Sequence, residues 1–205
     1  MKIVVFGASG GVGQHVVKLA LEKGIEVTAF VRTPSKIQIS HPFLHVYHGN
    51  AMQADDVAAA IEGQNAVISC LGSSKGLKES TELGNMIENI SLGMQKHGVK
   101  RIVYVASAGI YGELPGISGK MIMKTLKNPL LDHRHAVDTI VNYNLDYTIV
   151  RPMGLTNNDP IGSYREATEG IPAKGKSIAR ADVANFIIKA LEDSQYIHQS
   201  VSIAY

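Results

Sequence analysis

The sequence has no tryptophan, no long apolar run and a single cysteine, Cys70. One cysteine cannot form an intrachain disulfide, which favours a reducing compartment. No stretch approaches the roughly 18 consecutive apolar residues of a membrane-spanning helix. The apolar segment at residues 1–6 is too short for the core of a signal peptide. We therefore expect a cytoplasmic protein with no membrane partner.

Clusters of a single charge are also missing. The 20 basic residues nearly balance the 18 acidic residues, and no basic run is long enough to serve as a nucleic-acid-binding arm. His133 and His135 have a spacing that does not bring both rings to one metal ion on a helix. We expect no nucleic-acid partner, no metal, and a chain that is a monomer or a homodimer.

Hydrophobic residues make up 45 % of the 205 residues, which is enough for the core of one domain. Short apolar segments alternate with amphipathic ones, and this alternation predicts one Rossmann-type α/β domain over residues 1–205. Its doubly wound parallel sheet has helices on both faces. The predicted strands cover residues 2–6, 26–32, 44–48, 66–71, 101–106, 147–150 and 199–204, and the predicted helices cover residues 11–23, 55–61, 79–97, 130–143 and 183–191.

After Pro152 this periodicity weakens. Residues 156–175 are polar and rich in glycine, and we expect Asp182 to cap the helix at residues 183–191. We interpret residues 152–180 as a small extension on the substrate side and as a candidate lid. Residues 121–123 lie in a connection for which two interpretations stay open, core packing or an adaptable apolar rim for a flat ligand.

The segment GASGGVG at residues 7–13 comes directly after the first predicted strand and opens the first predicted helix. Glycines permit a tight turn and let backbone amides approach a pyrophosphate, while the helix N-terminus supplies unpaired N–H groups and a partial positive charge. Ser9 can add a hydroxyl. Because strand, turn and helix follow in the order that the dinucleotide fingerprint requires, the segment predicts a bound dinucleotide.

The end of the second predicted strand indicates which dinucleotide is bound. NAD-binding chains usually place an acidic residue there, about 20 residues after the glycines, to hold the ribose hydroxyls. This sequence has Arg32 at that position, Lys36 nearby, and no Asp or Glu between Val27 and Asn50. Two cations suit a 2′-phosphate, so we predict NADP(H) rather than NAD(H).

Further motifs accompany the glycine turn. They are VTAFVR ending at Arg32, HGN ending at Asn50, ISCLG ending at Gly72, MQKHGVKRIVYVAS ending at Ser107, LDYTIVRP ending at Pro152 and IARADVANFI ending at Ile187. With these motifs, nearly the whole chain resembles the atypical short-chain dehydrogenases/reductases, and in particular the group of biliverdin-IXβ reductase and flavin reductase. The resemblance implies cofactor contacts for Gly7, Ser9, Gly10, Gly11, Val12, Arg32, Lys36, Asn50, Ala51, Leu71 and Gly72.

Two candidate residues belong to the nicotinamide end of the site. Ser107 and Pro152 end the fifth and sixth predicted strands, and the carboxyl ends of strands form the ligand crevice in this architecture. We therefore expect both to contact the cofactor. The resemblance implies that Ser107 lines the nicotinamide and substrate pocket, which makes it our candidate catalytic residue.

The sequence departs from that family at the usual proton donor. The wider family uses a Tyr-x-x-x-Lys pair, and no tyrosine here has a lysine four residues further on. Matching the helix before LDYTIVRP puts Pro129 at the tyrosine position and His133 at the lysine position. Gly154 stands where the reductase group carries a histidine after the sixth strand.

Chemistry without that acid remains available for flat conjugated acceptors, since hydride goes to a carbon or ring nitrogen and water can supply the proton. A simple ketone is a poorer candidate, because its alkoxide needs a proton donor within reach. We therefore predict an NADPH-dependent reductase of a flavin, biliverdin or quinone. The alternative is a non-catalytic NADP(H)-binding redox sensor that acts through a protein partner, as some atypical relatives do.

Overall fold

An eight-stranded sheet forms the centre of the computed structural model, which describes residues 1–205. The strands are β1 (Lys2–Phe6), β2 (Glu26–Val31), β3 (Leu44–His48), β4 (Ala66–Ser69), β5 (Arg101–Val105), β6 (Asp146–Pro152), β7 (Gly154–Thr156), β8 (Arg165–Ala167), β9 (Ser177–Ala179) and β10 (Gln199–Ala204). The helices are α1 (Gly13–Glu22), α2 (Ala54–Ile61), α3 (Glu82–His97), α4 (Gly116–Thr125), α5 (Lys127–Asn142) and α6 (Arg180–Glu192).

The strand order of this sheet is β3-β2-β1-β4-β5-β6-β10-β8. All neighbouring strands are parallel except β8, which pairs antiparallel with β10. Strands β7 and β9 form a separate parallel pair. The predicted doubly wound parallel sheet in a single α/β domain is confirmed.

Helices cover both faces of the sheet, so its central strands are apolar on both sides. Helices α1 and α6 pack together on one face, while α2, α3 and α5 pack on the other. In β1, Ile3 and Val5 belong to the core on the α1 side, whereas Val4 and Phe6 belong to the core on the α3 side. This alternation follows from the two-residue period of a strand, and all four side chains are fully buried.

The strand order reverses at β1. After β1 the chain adds β2 and β3 on one side, and it then returns to place β4 on the other side of β1. The carboxyl ends of β1, β2 and β4 therefore meet around a crevice, which is where open parallel sheets bind ligands. The glycine turn, Arg32 and Leu71 all lie at this edge of the sheet.

The sequence prediction misses α4 and the three short strands β7, β8 and β9. Ile117, Met121 and Ile122 of α4 are exposed, so the helix lacks the sharp apolar stripe that a sequence pattern reveals. Met123 is partly buried and packs against the core on the α3 side. Core packing therefore applies to Met123, whereas the rim interpretation for the exposed Met121 and Ile122 stays a prediction.

The predicted capping role of Asp182 is wrong. Helix α6 begins at Arg180, so Asp182 lies inside its first turn. The buried carboxylate accepts hydrogen bonds from the N–H groups of Ile161 and Gly162 at 2.8 and 3.1 Å, and from the hydroxyl of Tyr205. A carboxylate is a strong acceptor for backbone N–H groups, and Asp182 thereby ties part of the candidate lid to α6.

Candidate cofactor-binding site

The glycine turn joins β1 to α1 and requires glycine at two of its positions. Gly7 has a φ of +76°, and a Cβ on it would lie 2.7 Å from the carbonyl oxygen of Cys70. A Cβ on Gly13 would overlap the carbonyl oxygen of Gly7. No side chain fits at either position, so the first and last glycines of GASGGVG let β1, β4 and α1 approach one another.

Helix α1 begins without a capping side chain. The N–H groups of Gly11, Val12 and Gly13 donate to no backbone or side-chain acceptor of the protein. Unpaired N–H groups at a helix N-terminus carry a partial positive charge and are suited to a pyrophosphate. Gly11 and Val12, both predicted cofactor contacts, therefore offer backbone donors to an anion.

A cavity of about 470 Å³ lies beside this turn, over the carboxyl ends of β1, β2 and β4. Its volume falls in the range of small-molecule binding sites. The structure brings most of the predicted site residues together in its wall. They are Gly7, Ser9, Gly10, Arg32, Lys36, Asn50, Ala51, Leu71 and Gly72.

Arg32 and Lys36 line this cavity without a carboxylate partner. Neither takes part in any ion pair of the structure, and both residues are exposed. A guanidinium and an ammonium that lack an internal partner attract an anionic group such as a phosphate. This end of the cavity is therefore positively charged.

The turn after β3 is held in place by several hydrogen bonds. Asn50 accepts a bond on Oδ1 from the N–H of Met52 at 3.1 Å, and its own N–H donates to Oδ2 of Asp56 at 2.9 Å. Asn89 of α3 donates to the carbonyl oxygen of Ala51 at 3.0 Å. The side-chain amide nitrogen of Asn50 donates to no protein group, so it is available for the edge of an adenine ring.

Glu82 of α3 also lines the cavity, and the sequence prediction missed it. Its carboxylate accepts hydrogen bonds from the N–H of Ser74 at 2.6 Å and from the hydroxyl of Ser73. Burial raises the pKa of Glu82, but the bonds from Ser74 and Ser73 outweigh it, and the net pKa lies below its usual value. Glu82 therefore stays ionised and holds the loop after β4. In the sequence, two serines shortly before a helix that begins with a glutamate could have indicated this contact.

Ser107 and Pro152 lie outside this cavity, near the carboxyl ends of β5 and β6. The N–H of Ala108 donates to the carbonyl oxygen of Pro152 at 3.0 Å, so the two residues share one part of the edge. The hydroxyl of Ser107 donates to the carbonyl oxygen of Ala108 at 3.0 Å and keeps its lone pairs for a ligand. Since β5 is the neighbour of β4, Ser107 lies one strand beyond the cavity.

Arg151 in β6 is buried and fully paired. It is 1 % exposed and forms an ion pair with Glu113. It also donates hydrogen bonds to the carbonyl oxygens of Thr168, Gly170 and Ser200 at 3.0 to 3.3 Å. One guanidinium thus joins β6, the loop after β5, the candidate lid and β10.

The positions of the missing Tyr-x-x-x-Lys pair carry no effective acid. Pro129 has no titratable side chain, and Nδ1 of His133 is hydrogen-bonded to the hydroxyl of Tyr104 at 2.7 Å. Burial lowers the pKa of His133 to about 4 and raises the pKa of Tyr104 above its ordinary value. Both groups are neutral near pH 7, and Tyr104 is completely buried in the core. Gly154, at the position of the reductase group's histidine, offers no side chain.

Arg180 is the other residue near the glycine turn that the sequence prediction missed. It is the first residue of α6, and its side chain lies over Gly11. The motif IARADVANFI contains Arg180. That motif was the available signal, but nothing in its spacing indicates that α6 begins beside α1.

The unpaired amides of the glycine turn face the crevice where the strand order reverses. Rossmann-type proteins bind dinucleotides at this point, and the molecule is a dinucleotide-binding protein of that class. The model of a family described as NAD(P)H-binding matches residues 7–194, so the chain belongs to this NAD(P)H-binding family. This family membership confirms the predicted nicotinamide dinucleotide cofactor, NAD(P)H.

The curated relatives include a protein that matches this chain along almost the full length of both proteins. The uncharacterized protein YwnB of Bacillus subtilis is 34 % identical, over 99 % of this chain and 98 % of that protein. Other curated relatives are longer, and the chain spans 32 % of the length of the mycobacterial hydroxysteroid dehydrogenases that it also matches.

Two solved structures share the complete fold. A short-chain dehydrogenase/reductase from Veillonella parvula DSM 2008, in complex with NADP, has a TM-score of 0.84 and 21 % identity over 100 % of this chain and 94 % of that chain. The anaerobilin reductase ChuY from Escherichia coli O157:H7 has a TM-score of 0.83 and 24 % identity over 100 % of this chain and 97 % of that chain. Both likenesses concern the fold.

No helix combines the length and the apolar character that crossing a membrane requires. No three side chains of His, Cys, Asp or Glu come together in a way that could hold a metal ion. The expected location, partners and oligomeric state, and the role of residues 152–180 as a lid, stay predictions.

Proposed function

We propose that the protein is an NADPH-dependent reductase that transfers hydride to a flat conjugated acceptor such as a flavin, a biliverdin or a quinone. One observation carries the proposal. Most of the predicted cofactor-binding residues line one cavity, whereas Pro129, His133 and Gly154 supply no acid at the proton-donor positions that the resemblance implies. An acceptor that can take its proton from water suits such a site.

The preference for NADPH rests on Arg32 and Lys36. Both are unpaired cations at the end of β2, where an NAD site would carry a carboxylate. A 2′-phosphate can accept hydrogen bonds from both side chains, and a guanidinium binds two phosphate oxygens at once. Thr33, which also lines the cavity, adds a hydroxyl at the same place.

The preference for a conjugated acceptor rests on the other end of the site. The nicotinamide of NADPH supplies two electrons and a proton as hydride, and the reduced acceptor takes its second proton from water. Ser107 is proposed to touch the acceptor or the nicotinamide through its hydroxyl oxygen, which has free lone pairs. Ile117 and Met121 of α4, in the connection that follows Ser107, are exposed apolar side chains that suit a flat ligand. ChuY, which has this fold, is an anaerobilin reductase, and this supports a conjugated acceptor for the present chain.

The test is the oxidation of NADPH by the purified protein, followed by the absorbance of the reduced nicotinamide. FMN, riboflavin, biliverdin and a quinone serve as acceptors, with NADH in parallel reactions. We expect turnover with at least one acceptor, and faster turnover with NADPH than with NADH at low cofactor concentration. No turnover with any of the acceptors would contradict the reductase function.

A non-catalytic redox sensor is the second candidate, and the neutral, hydrogen-bonded Tyr104–His133 pair favours it. A sensor must bind NADP⁺ and NADPH with different affinities, since only differential binding shifts a conformational equilibrium. Calorimetric titration with both cofactors separates the two functions. Unequal affinities without turnover would support the sensor, whereas steady turnover with equal affinities would exclude it.

A further inference from the structure

Arg180 brings a positive charge from the C-terminal part of the chain to the glycine turn. A methyl group built on Gly11 would lie 2.7 Å from Nε and 2.8 Å from Cδ of Arg180. Gly11 belongs to the uncapped N-terminus of α1, where the N–H groups have no partner. The guanidinium and these N–H groups therefore lie side by side.

The charge of Arg180 is not compensated within the protein. Its guanidinium donates one hydrogen bond, to Oδ1 of Asn157 at 2.7 Å, and it takes part in no ion pair. Its effect on α1 is visible at His15, whose pKa is lowered by burial first and then by Lys18 and Arg180. A partly exposed guanidinium with only a neutral partner is free to bind an anion.

The backbone around Arg180 is held in place independently of any ligand. The N–H of Ala179 donates to the hydroxyl of Tyr205 at 3.0 Å, and that hydroxyl donates to Asp182. Asp182 also accepts a hydrogen bond from the N–H of Ile161. Because the start of α6 is fixed by these bonds, only the side chain of Arg180 has to adjust when a ligand arrives, and such preorganisation favours binding.

We propose that Arg180 is a cofactor-binding residue that contacts the pyrophosphate of the dinucleotide, beside the backbone amides of the glycine turn. This inference rests on the proposed NADPH site. Arg32 and Lys36 then hold the 2′-phosphate while Arg180 holds the pyrophosphate, so that each anionic group of the cofactor meets its own cation. Gly11 has no side chain, and this leaves the room that the guanidinium occupies.

The test compares ligands that carry or lack the pyrophosphate. Calorimetric titrations of NADP⁺, NAD⁺ and adenosine 2′-monophosphate are made with the wild type and with Arg180→Gln. We expect Arg180→Gln to weaken NADP⁺ at least tenfold and NAD⁺ by a similar factor. The affinity for adenosine 2′-monophosphate, which has the 2′-phosphate but no pyrophosphate, should change less than twofold.

Lys18→Gln is the matched control. Lys18 lies on α1, the helix that follows Gly11, its side chain is 68 % exposed, and its removal takes away the same charge. We expect its affinity for NADP⁺ to stay within twofold of the wild type. An equal loss in Lys18→Gln and Arg180→Gln would show that only the general positive field matters, and this would overturn the inference.

A second variant displaces the guanidinium without removing it. Gly11→Ala places a methyl group only 2.7 Å from Nε of Arg180, too close for the side chain to stay where it is. We expect it to weaken NADP⁺ several-fold in the wild type and much less in the Arg180→Gln background, because coupled neighbours are not additive. Equal losses in both backgrounds would contradict the inference.

The remaining outcomes separate the inference from the proposed function. If the wild type binds NADP⁺ and Arg180→Gln binds it equally well, the inference fails alone. An equal loss of adenosine 2′-monophosphate and NADP⁺ in Arg180→Gln would also overturn it, since the residue would then act through the fold. If the wild type binds no dinucleotide, the inference and the proposed function fail together.

Discussion

Two arginines at the carboxyl edge of the sheet have opposite surroundings. Arg32, directly after β2, is exposed and takes part in no ion pair. Arg151, in β6, is 1 % exposed and is paired with Glu113 and several carbonyl oxygens. Two arginines at similar positions on the edge therefore differ in what they can offer a ligand. The guanidinium of Arg32 is free to bind an anion, whereas that of Arg151 already has internal partners.

The same contrast divides the edge into two halves, an unpaired half around β1 and β2 and a paired half around β6. Around β1 and β2, the amides of the glycine turn, Arg32 and Arg180 have donors to offer a ligand. Around β6, Arg151 satisfies the polar groups of the surrounding loops. The first half is therefore suited to an anionic cofactor, and the second half is a preformed wall against which a less polar molecule can lie.

The largest expected effect comes from breaking the paired half. Arg151→Met leaves the carboxylate of Glu113, which is 10 % exposed, without its partner. We expect the free energy of unfolding to fall by about 3–5 kcal/mol, because a buried charge that has lost its partner is strongly destabilising. Urea denaturation followed by circular dichroism measures this change.

Arg134→Met is the control for that experiment. Arg134 pairs with Asp138 on the surface of α5 and is 41 % exposed, so its loss should cost less than about 1 kcal/mol. The double variant Arg151→Met/Glu113→Gln should recover part of the loss, since no unpaired charge remains. Equal unfolding free energies for Arg151→Met and Arg134→Met would show that Arg151 has no special role.

The next effect concerns the unpaired half. Arg32→Glu replaces a donor to the 2′-phosphate with a group that repels it, and a hydrogen bond to a charged group contributes about 1.5–3 kcal/mol. We expect the affinity for NADPH to fall by about a hundredfold and the affinity for NADH to change little or to rise, because a carboxylate can accept from the ribose hydroxyls. Titrations with both cofactors measure the ratio. An unchanged ratio would remove Arg32 from the site.

A smaller effect is expected at acidic pH, where the buried His133 lowers the free energy of unfolding. Burial lowers the pKa of His133 to about 4, whereas an unfolded chain has the usual pKa of 6.5. Above pH 6.5 both states are neutral. As the pH falls, the unfolded chain takes up a proton that the folded protein refuses, and the free energy of unfolding decreases. Between pH 7 and pH 5 this contribution is about 2 kcal/mol.

The variant His133→Asn isolates that contribution. Its side chain does not titrate, so its unfolding free energy should fall less between pH 7 and pH 5 than that of the wild type. Asp132, the neighbour that opposes the shift, stays in both proteins. Parallel pH profiles for the two proteins would contradict the role of His133.

The smallest effect falls at the border between the halves. Ser107→Ala removes a hydroxyl that lies one strand beyond the cavity. We expect turnover with the best acceptor to fall about fivefold, while the dissociation constant of NADPH stays within about twofold, since one hydrogen bond contributes about 1 kcal/mol. Stopped-flow kinetics and calorimetry give the two values. Unchanged turnover would make Ser107 a wall residue only.

The residues that line the cavity in the unpaired half were predictable, because each of them is indicated by its own sequence segment. GASGGVG, Arg32, Asn50 and the end of β4 each lie just after an apolar run, and parallel strands bring such ends together. The doubly wound fold followed from the same alternation of strands and helices. The sequence pattern therefore predicts best those residues whose position follows directly from the strand that precedes them.

Contacts between distant parts of the chain were not predictable in the same way. Arg151 bonds to the loop after β8, to β10 and to the loop after β5, and Asp182 bonds to amides of a loop rather than capping its own helix. Arg180 meets Gly11 only because α6 packs beside α1. These contacts join distant parts of the chain, so composition and periodicity within one segment cannot reveal them.

The N-terminus of helix α1 is uncapped, since no side chain of the protein accepts a hydrogen bond from its first N–H groups. A bound dinucleotide completes it, and a ligand that binds only the folded chain adds stability in proportion to the logarithm of its concentration. At a hundred times the dissociation constant the gain is about 2.7 kcal/mol. We therefore expect the folded chain to resist proteolysis more strongly as the concentration of the dinucleotide rises.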